Sequence, residues 1–257
     1  YRAARRVWYK VMKEKFKAKN PRSYTLRFHV QTAGVSLTAQ QPLNNVTRAA
    51  YQALAAALGG AQSLHVDGYD EALCNPTEQA ATVALRTQQI LQYETNVMNT
   101  ADPLGGSYYV EYLTNEMERR IWEYMERIDK EGGIVSASHK GWVHREISNS
   151  AYEYQRAVEC GEMKVVGVNC FKVEEESPVE IFEVPETVEP QKAKLEKLRK
   201  KRDYDKMKIA LEKVREKCHQ DENLMPWVME AVKANASLGE ITNVFREEFG
   251  IWRMPLT

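Results

Sequence analysis

The chain has 257 residues, enough to bury a sizeable core in one or two domains. Its 36 basic and 36 acidic side chains cancel, so net charge makes no case for nucleic acid or an anionic membrane, and no run of about 18 apolar residues is present to span a bilayer. Cys74, Cys160, Cys170 and Cys218 lack CxxC spacing and a paired histidine, which argues against disulfides and structural zinc and makes a reducing cytoplasm the expected compartment.

In chain order, "YRAARRVWYKVMKEKF" reads as a basic amphipathic helix with no signal-peptide core, and its aromatic and aliphatic spacing favours a docked helix. A first residue of Tyr instead of Met leads to the expectation of a piece cut or trimmed from something longer. Asn20-Pro21 marks a turn. Residues 25–32 alternate Leu26, Phe28 and Val30 against Arg27, His29 and Gln31, which predicts a strand. A helix is predicted from Pro42 to Leu58, stopped by Gly59-Gly60. A second alternating strand, 62–67, sets Ser63, His65 and Asp67 against Leu64 and Val66. Asn75-Pro76-Thr77-Glu78 predicts the next helix start, with Asn75 as cap, running to about Thr95.

"DPLGGSYYVE" (102–111) is not a GxGxxG cradle, and no helix is expected to open directly on it; a tight turn before Tyr108 and Tyr109 is the better reading. Residues 113–160 read as helical with a break at 131–133, followed by a short apolar strand, "KVVGVN" (164–169). His139 and His144 lack the spacing of a helical zinc pair. The stretch 171–190 carries seven glutamates and three prolines and reads as an extended acidic linker. Beyond it, the chain turns basic, with Leu195, Leu198, Met207, Leu211 and Val214 at helical spacings, and reads as a solvated helix face, since no aromatic stacking platform is interleaved. The expected division is 1–112 as the α/β part, 113–170 as a helical segment with a short strand, 171–190 as linker, and 191–257 as a helical carboxy-terminal region.

Two strands joined by helices imply a parallel sheet, either doubly wound or part of a (β/α)8 barrel, and two βα units cannot close an eight-stranded barrel. In such sheets ligands gather beyond the carboxyl ends of the strands. His29, Gln31, His65 and Asp67 lie at that end, with Glu71 just downstream. Burying such groups without partners costs on the order of 1–3 kcal/mol, so the two rows call for mutual hydrogen bonds or a polar ligand. No GxSxG nucleophile elbow is present for a hydrolase.

"RFHVQTAGVSLTAQQPLNNVTRAA", "GGAQSLHVDGYDEAL", "ADPLGGSYYVE" and "VVGVN", taken together and in order, resemble the second half of the large subunit of adenosylcobalamin-dependent acyl-CoA mutases, the methylmalonyl-CoA mutase family. The resemblance implies the carboxy-terminal part of a (β/α)8 TIM barrel, followed by a mainly helical region. It further implies an axial tunnel for the pantetheine arm of an acyl-CoA, lined by small hydrophilic side chains. Ser63 would be a lumen hydroxyl, with His29 and Gln31 at the mouth. By motif position, Gln31, Gly34 and Glu71 match residues lining the cobalamin and adenosyl site, and Gln62 matches a polar residue near the adenosine. His29, His65 and Asp67 complete the expected cofactor-binding set. Asp67 stands where the family usually has Asn, and Val35 where a Trp is usual, which suggests a member outside the strict methylmalonyl branch.

The same resemblance implies radical rearrangement of an acyl-CoA carbon skeleton. It assigns no catalytic residue to this chain, because the family's substrate-facing tyrosine, arginine and histidine belong to the first half-barrel, and no DxHxxG cobalt-ligand loop is present. The expected partners are an amino-terminal half-barrel, a cobalamin-binding subunit or domain, and the acyl-CoA. The alternative expectation is a non-catalytic scaffold or assembly subunit that retains the half-barrel.

Overall fold

The computed structural model describes residues 1–174, 179–185 and 187–253. Two compact units divide it, the first Tyr1–Glu183 and the second from Val184 onward. Part of the 171–190 stretch read as a linker lies outside the described residues, and its end, from Val188, is already helical. No helix among the described residues is long and apolar enough to cross a membrane.

The first unit begins with α1 (Arg2–Lys10), which continues into a π-helical turn, Val11–Lys15. Strand β1 (His29–Gln31) leads through a short 3-10 turn, Gly34–Ser36, to α2 (Asn44–Leu58). Strand β2 (Ser63–His65) leads to α3 (Glu78–Glu94). Then follow α4 (Tyr108–Lys130), α5 (Ile134–His139) and α6 (Trp142–Glu159). The two strands pair in parallel, with His29 opposite Ser63, Val30 opposite Leu64 and Gln31 opposite His65. This is a helix-rich α/β unit with one two-stranded parallel sheet among the described residues.

Both strands are shorter than their alternating patterns predict, and side chains explain why. Upstream, the Phe28 amide donates to Gln62 Oε1 (2.8 Å), so an amide side chain occupies the place of a ladder partner. Downstream, the Asp67 amide donates to Thr32 Oγ1 (2.9 Å), which closes the ladder after His65. The alternation itself holds: Val30 and Thr32 are buried, while Arg27, His29 and Gln31 are exposed. Behind the sheet, Ala49 and Ala53 of α2 and Ala84 of α3 pack around Val66 with Leu64 and Leu91. Alanine lets these helices lie close on the strand, because no longer side chain stands between the backbones.

Three local expectations need correction. Thr77, not Asn75, caps α3: its hydroxyl accepts from the Ala80 amide, and the buried Asp70 carboxylate accepts from both Thr77 N (2.8 Å) and Thr77 Oγ1 (3.0 Å). Residues 164–169 form no strand. Gly167 turns with φ +84°, and the Asn169 side chain bonds Val165 N, Val158 O and Met163 O, leaving a single bridge between Val166 and Cys170. A helix does open on the glycine turn, at Tyr108, where the Gly106 amide donates to Glu111 Oε1 (3.1 Å). The break at 131–133 is present, with Gly132 and Gly133 at φ +90° and +89°, a region open to glycine.

Helix α1 docks on α4 through matched charges as well as through Ala3 and Val7. Arg2 reaches Asp102 (2.9 Å), Glu111 (2.5 Å) and Thr114 (2.9 Å); Arg6 reaches Glu111 (2.8 Å) and Asn115 (2.6 Å); Lys10 reaches Glu118 (2.5 Å). Positions 2, 6 and 10 stack along one helix face, as do 111, 115 and 118, so the partners meet rung by rung.

The second unit is helical: α7 (Val188–Lys201), α8 (Tyr204–Lys217), α9 (Met225–Lys233) and α10 (Leu238–Phe249). Its core gathers Met207, Ala210, Val214, Ala231, Ile241 and Val244, and Leu211 packs against it. Leu195 and Leu198 lie on α7, none of whose residues is buried. A full capping box, Ser237 with Glu240, starts α10, and Arg202 pairs with the same Glu240 (2.6 Å).

Candidate functional site

The parallel pairing puts the two polar rows side by side on one exposed face of the sheet. His29 Nδ1 and Ser63 Oγ share a hydrogen bond at 2.7 Å. One step along, Gln31 and His65 are register partners, and both are exposed. The sequence spacing brings these four residues together because parallel strands of equal offset keep side chains of equal parity on one face.

Beyond the last rung the chain turns inward. The Asp67 carboxylate is enclosed, and both of its oxygens are engaged: Oδ1 accepts from Gln31 Nε2 (2.7 Å) and Oδ2 from Thr32 Oγ1 (2.8 Å). His65 Nε2 stands 3.7 Å from Asp67 Oδ1. Asp67 therefore holds the Gln31 amide in one orientation, leaving the Gln31 carbonyl oxygen as that side chain's free acceptor direction. Gln62 is spoken for at the other end of the strand: Oε1 accepts from Phe28 N, and Nε2 donates to Gly60 O (2.8 Å).

Glu71 faces the backbone of Gly34. A Cβ at position 34 would lie 3.2 Å from Glu71 Oε1 and 3.3 Å from its Cγ, so the Glu71 side chain already packs where a Cβ would stand and glycine permits that close approach. Burial pushes the Glu71 carboxyl above its usual range, reinforced by the neighbouring Asp67 and Asp70 and opposed by His65. Gly34, Asp67, His65 and Glu71 thus form one electrostatic neighbourhood at the carboxyl ends of the strands.

Sequence reasoning missed three parts of this site. Thr32, buried beside Asp67, belongs to it and carried a signal in the buried parity of the strand. Asn45, fully buried, and Arg48 grip the loop after β1; a polar pair on an otherwise alanine-rich helix is the sign that points to them. Helix α6 carried no signal. It lines a cavity of 880 Å³ together with Val35, Ser36 and Tyr124, contributing Ile147, Ala151, Tyr154 and Gln155. Val35 itself is 95% exposed, an aliphatic side chain presented to open space directly after Gly34.

No cluster of metal-ligating side chains occurs among the described residues, and all four cysteines are free. The arrangement offers hydrogen-bond acceptors and imidazoles around a polar rim, next to a roomy and largely apolar recess. That combination suits a large, mixed-polarity ligand better than a small ion.

Comparison with known proteins adds a family model described as methylmalonyl-CoA mutase, which matches residues 1–251. The chain is 45% identical over 257 residues to the 2-hydroxyisobutanoyl-CoA mutase large subunit of Aquincola tertiaricarbonis, a match covering 98% of this chain and 46% of that protein. It is 42% identical over 252 residues to the methylmalonyl-CoA mutase of Rhizobium meliloti, covering 97% and 35% respectively. To the methylmalonyl-CoA mutase large subunit of Propionibacterium freudenreichii subsp. shermanii it is 38% identical over 257 residues, again covering 97% and 35%. The chain therefore spans between about a third and a half of the length of these relatives.

Proposed function

Because the chain belongs to the methylmalonyl-CoA mutase family, we propose that it is the carboxy-terminal part of the barrel-bearing large subunit of an adenosylcobalamin-dependent acyl-CoA mutase. It works as an isomerase once an amino-terminal half-barrel and a cobalamin-binding subunit or domain are supplied. The observation that carries this reading is the pair of aligned polar rows, His29 and Gln31 beside Ser63 and His65, ending where Glu71 packs on Gly34.

A polar inner face is what a substrate tunnel needs and what a packed barrel core lacks. Ser63 and His29 line that tunnel for the pantetheine arm. Gln31, Gly34, His65 and Glu71 hold the cofactor's nucleoside side. The residues fit such a group: exposed Gln31, His65 and Glu71 offer polar atoms to a nucleoside, and the 880 Å³ recess beside Val35 accommodates a broad apolar edge. When bound, adenosylcobalamin supplies a carbon radical by homolysis of its cobalt–carbon bond. The chain's own part is to orient and to exclude water. Asp67 serves from behind the contact surface by fixing the Gln31 amide, and the exposed Gln62 fixes the start of β1.

Large apolar side chains remain uncovered on the outer helices of this unit. Tyr109, Tyr112 and Met117 of α4 are 69%, 64% and 54% exposed, which supports further protein packing against it. The expected compartment is the cytoplasm. The acyl group rearranged is of the methylmalonyl or 2-hydroxyisobutanoyl kind, in line with the activities in the relatives' names.

Co-expression with an amino-terminal half-barrel and a cobalamin-binding partner tests the reading. Adding adenosylcobalamin and an acyl-CoA should give a paramagnetic signal and a rearranged product. Assembly with neither signal nor product would favour the scaffold role, and turnover by this chain alone would contradict the division of labour.

A further inference from the structure

The two loops that carry Gly34 and Glu71 are joined by one side chain, Asn45, at the first turn of α2. It is completely buried, and every hydrogen-bonding position of its amide is filled. Oδ1 accepts from Thr38 N (3.1 Å) and from an Arg48 guanidinium nitrogen (2.7 Å). Nδ2 donates to Thr38 O (2.8 Å) and to Tyr69 O (2.9 Å). Thr38 lies four residues after Gly34, in the loop leaving β1. Tyr69 lies two residues before Glu71, in the loop leaving β2. The amide thus spans both loops from beneath.

Two neighbours at helical spacing extend the grip. Arg48 donates to Thr38 Oγ1 (2.8 Å) and to Val166 O (2.7 Å), and Gln52 accepts from Ala33 N (2.5 Å) while donating to Ser36 Oγ (2.7 Å). Positions 45, 48 and 52 form one polar stripe of α2, and each member bonds a residue within a few positions of Gly34. We propose that Asn45 is a positioning residue that sets the contact of Glu71 on Gly34 by fixing the loop after β1 to the loop after β2, with Gln52 holding the far side of the first loop. The inference rests on the cofactor-binding reading above and adds residues that no contact with a ligand would reveal. Buried, fully bonded amides are costly to disturb, because any loosened partner is left unsatisfied out of reach of water. The Gly34–Glu71 contact therefore keeps one geometry.

The experiment is an adenosylcobalamin titration, read by absorbance, of the enzyme assembled with its amino-terminal and cobalamin-binding parts. Four forms make a double-mutant cycle: the parent, Asn45→Ser, Glu71→Gln and the double variant. The parent should bind, and Asn45→Ser should weaken binding about tenfold. In the Glu71→Gln background the same substitution should have less than about a twofold effect, because the contact it sets no longer positions a carboxylate. A residue needed only for folding would weaken binding equally in both backgrounds, and that result overturns the proposal. It is overturned as well if Glu71→Gln leaves the affinity of the parent unchanged. No binding by the correctly assembled parent would instead defeat the cofactor reading itself. Should Asn45→Ser fail to assemble, Gln52→Leu, which frees only Ala33 and Ser36, enters the same cycle with the same expected loss of effect beside Glu71→Gln.

Discussion

The first unit contains two polar assemblies built from similar residue types, the α1–α4 ladder and the ends of the paired strands. Along the ladder, Arg2, Arg6 and Lys10 each meet a carboxylate, and Glu111 and Glu118 are held below their usual range chiefly by Arg2 and Lys10. At the strand ends, Asp67 is saturated in the same way, yet His65 and Glu71 beside it stay exposed, and Glu71 is shifted in the opposite direction. A polar assembly that closes on itself holds the fold together. One that keeps a closed base and an open rim is arranged to receive something else.

The largest expected effect lies at the closed base of the open site. Asp67→Ala would strand Gln31 Nε2 and Thr32 Oγ1 and should lower stability by about 3 kcal/mol in urea unfolding; a cost under about 1 kcal/mol would place Asp67 on the rim. Next comes Arg2→Ala, which removes three partners from the ladder at once and should cost about 2 kcal/mol. Acid sharpens the contrast. The folded pKa of Glu111, about 2, lies below its usual 4.5, so its stabilising contribution is full above 4.5 and is lost as pH falls toward 2. Acid titration followed by circular dichroism should show a shallower loss over that window in Arg2→Ala.

Smaller effects are expected on the rim, and one has the opposite sign. Ionised Glu71 is disfavoured in the fold, because its pKa is raised. The penalty is absent below the unfolded value and grows as pH rises through the folded one. Glu71→Gln should therefore melt at the same temperature or slightly higher at neutral pH while losing cofactor affinity; a clear drop in melting temperature would make Glu71 a structural residue. His65→Ala should change stability by less than about 0.5 kcal/mol, measured the same way.

Period-two alternation was enough to find both strands, their polar rows and the buried parity of Val30, because side-chain direction in a strand depends only on the local backbone. Strand length was not legible. It is set by Gln62 and Thr32, whose side chains replace ladder partners across 34 or 35 residues of sequence. The Thr77 cap depends likewise on Asp70 folding back from seven positions upstream. Local chemistry pointed to Asn75 because nothing near it names a distant carboxylate. The ladder was only half legible: α1 announced an amphipathic helix, but which helix answered its charges is a fact of tertiary structure. The cavity face of α6 was invisible for the same reason.

The central claim is that the aligned rows and the Glu71 carboxylate packed on Gly34 hold the nucleoside side of adenosylcobalamin. A crystal structure of the assembled enzyme with the cofactor bound tests it most directly. The account predicts Gln31 Oε1 and a Glu71 carboxylate oxygen within about 3.2 Å of cofactor polar atoms, with the corrin edge beside Val35. Cofactor density lying elsewhere, with Glu71 and Gln31 in contact only with water or a partner chain, would contradict it.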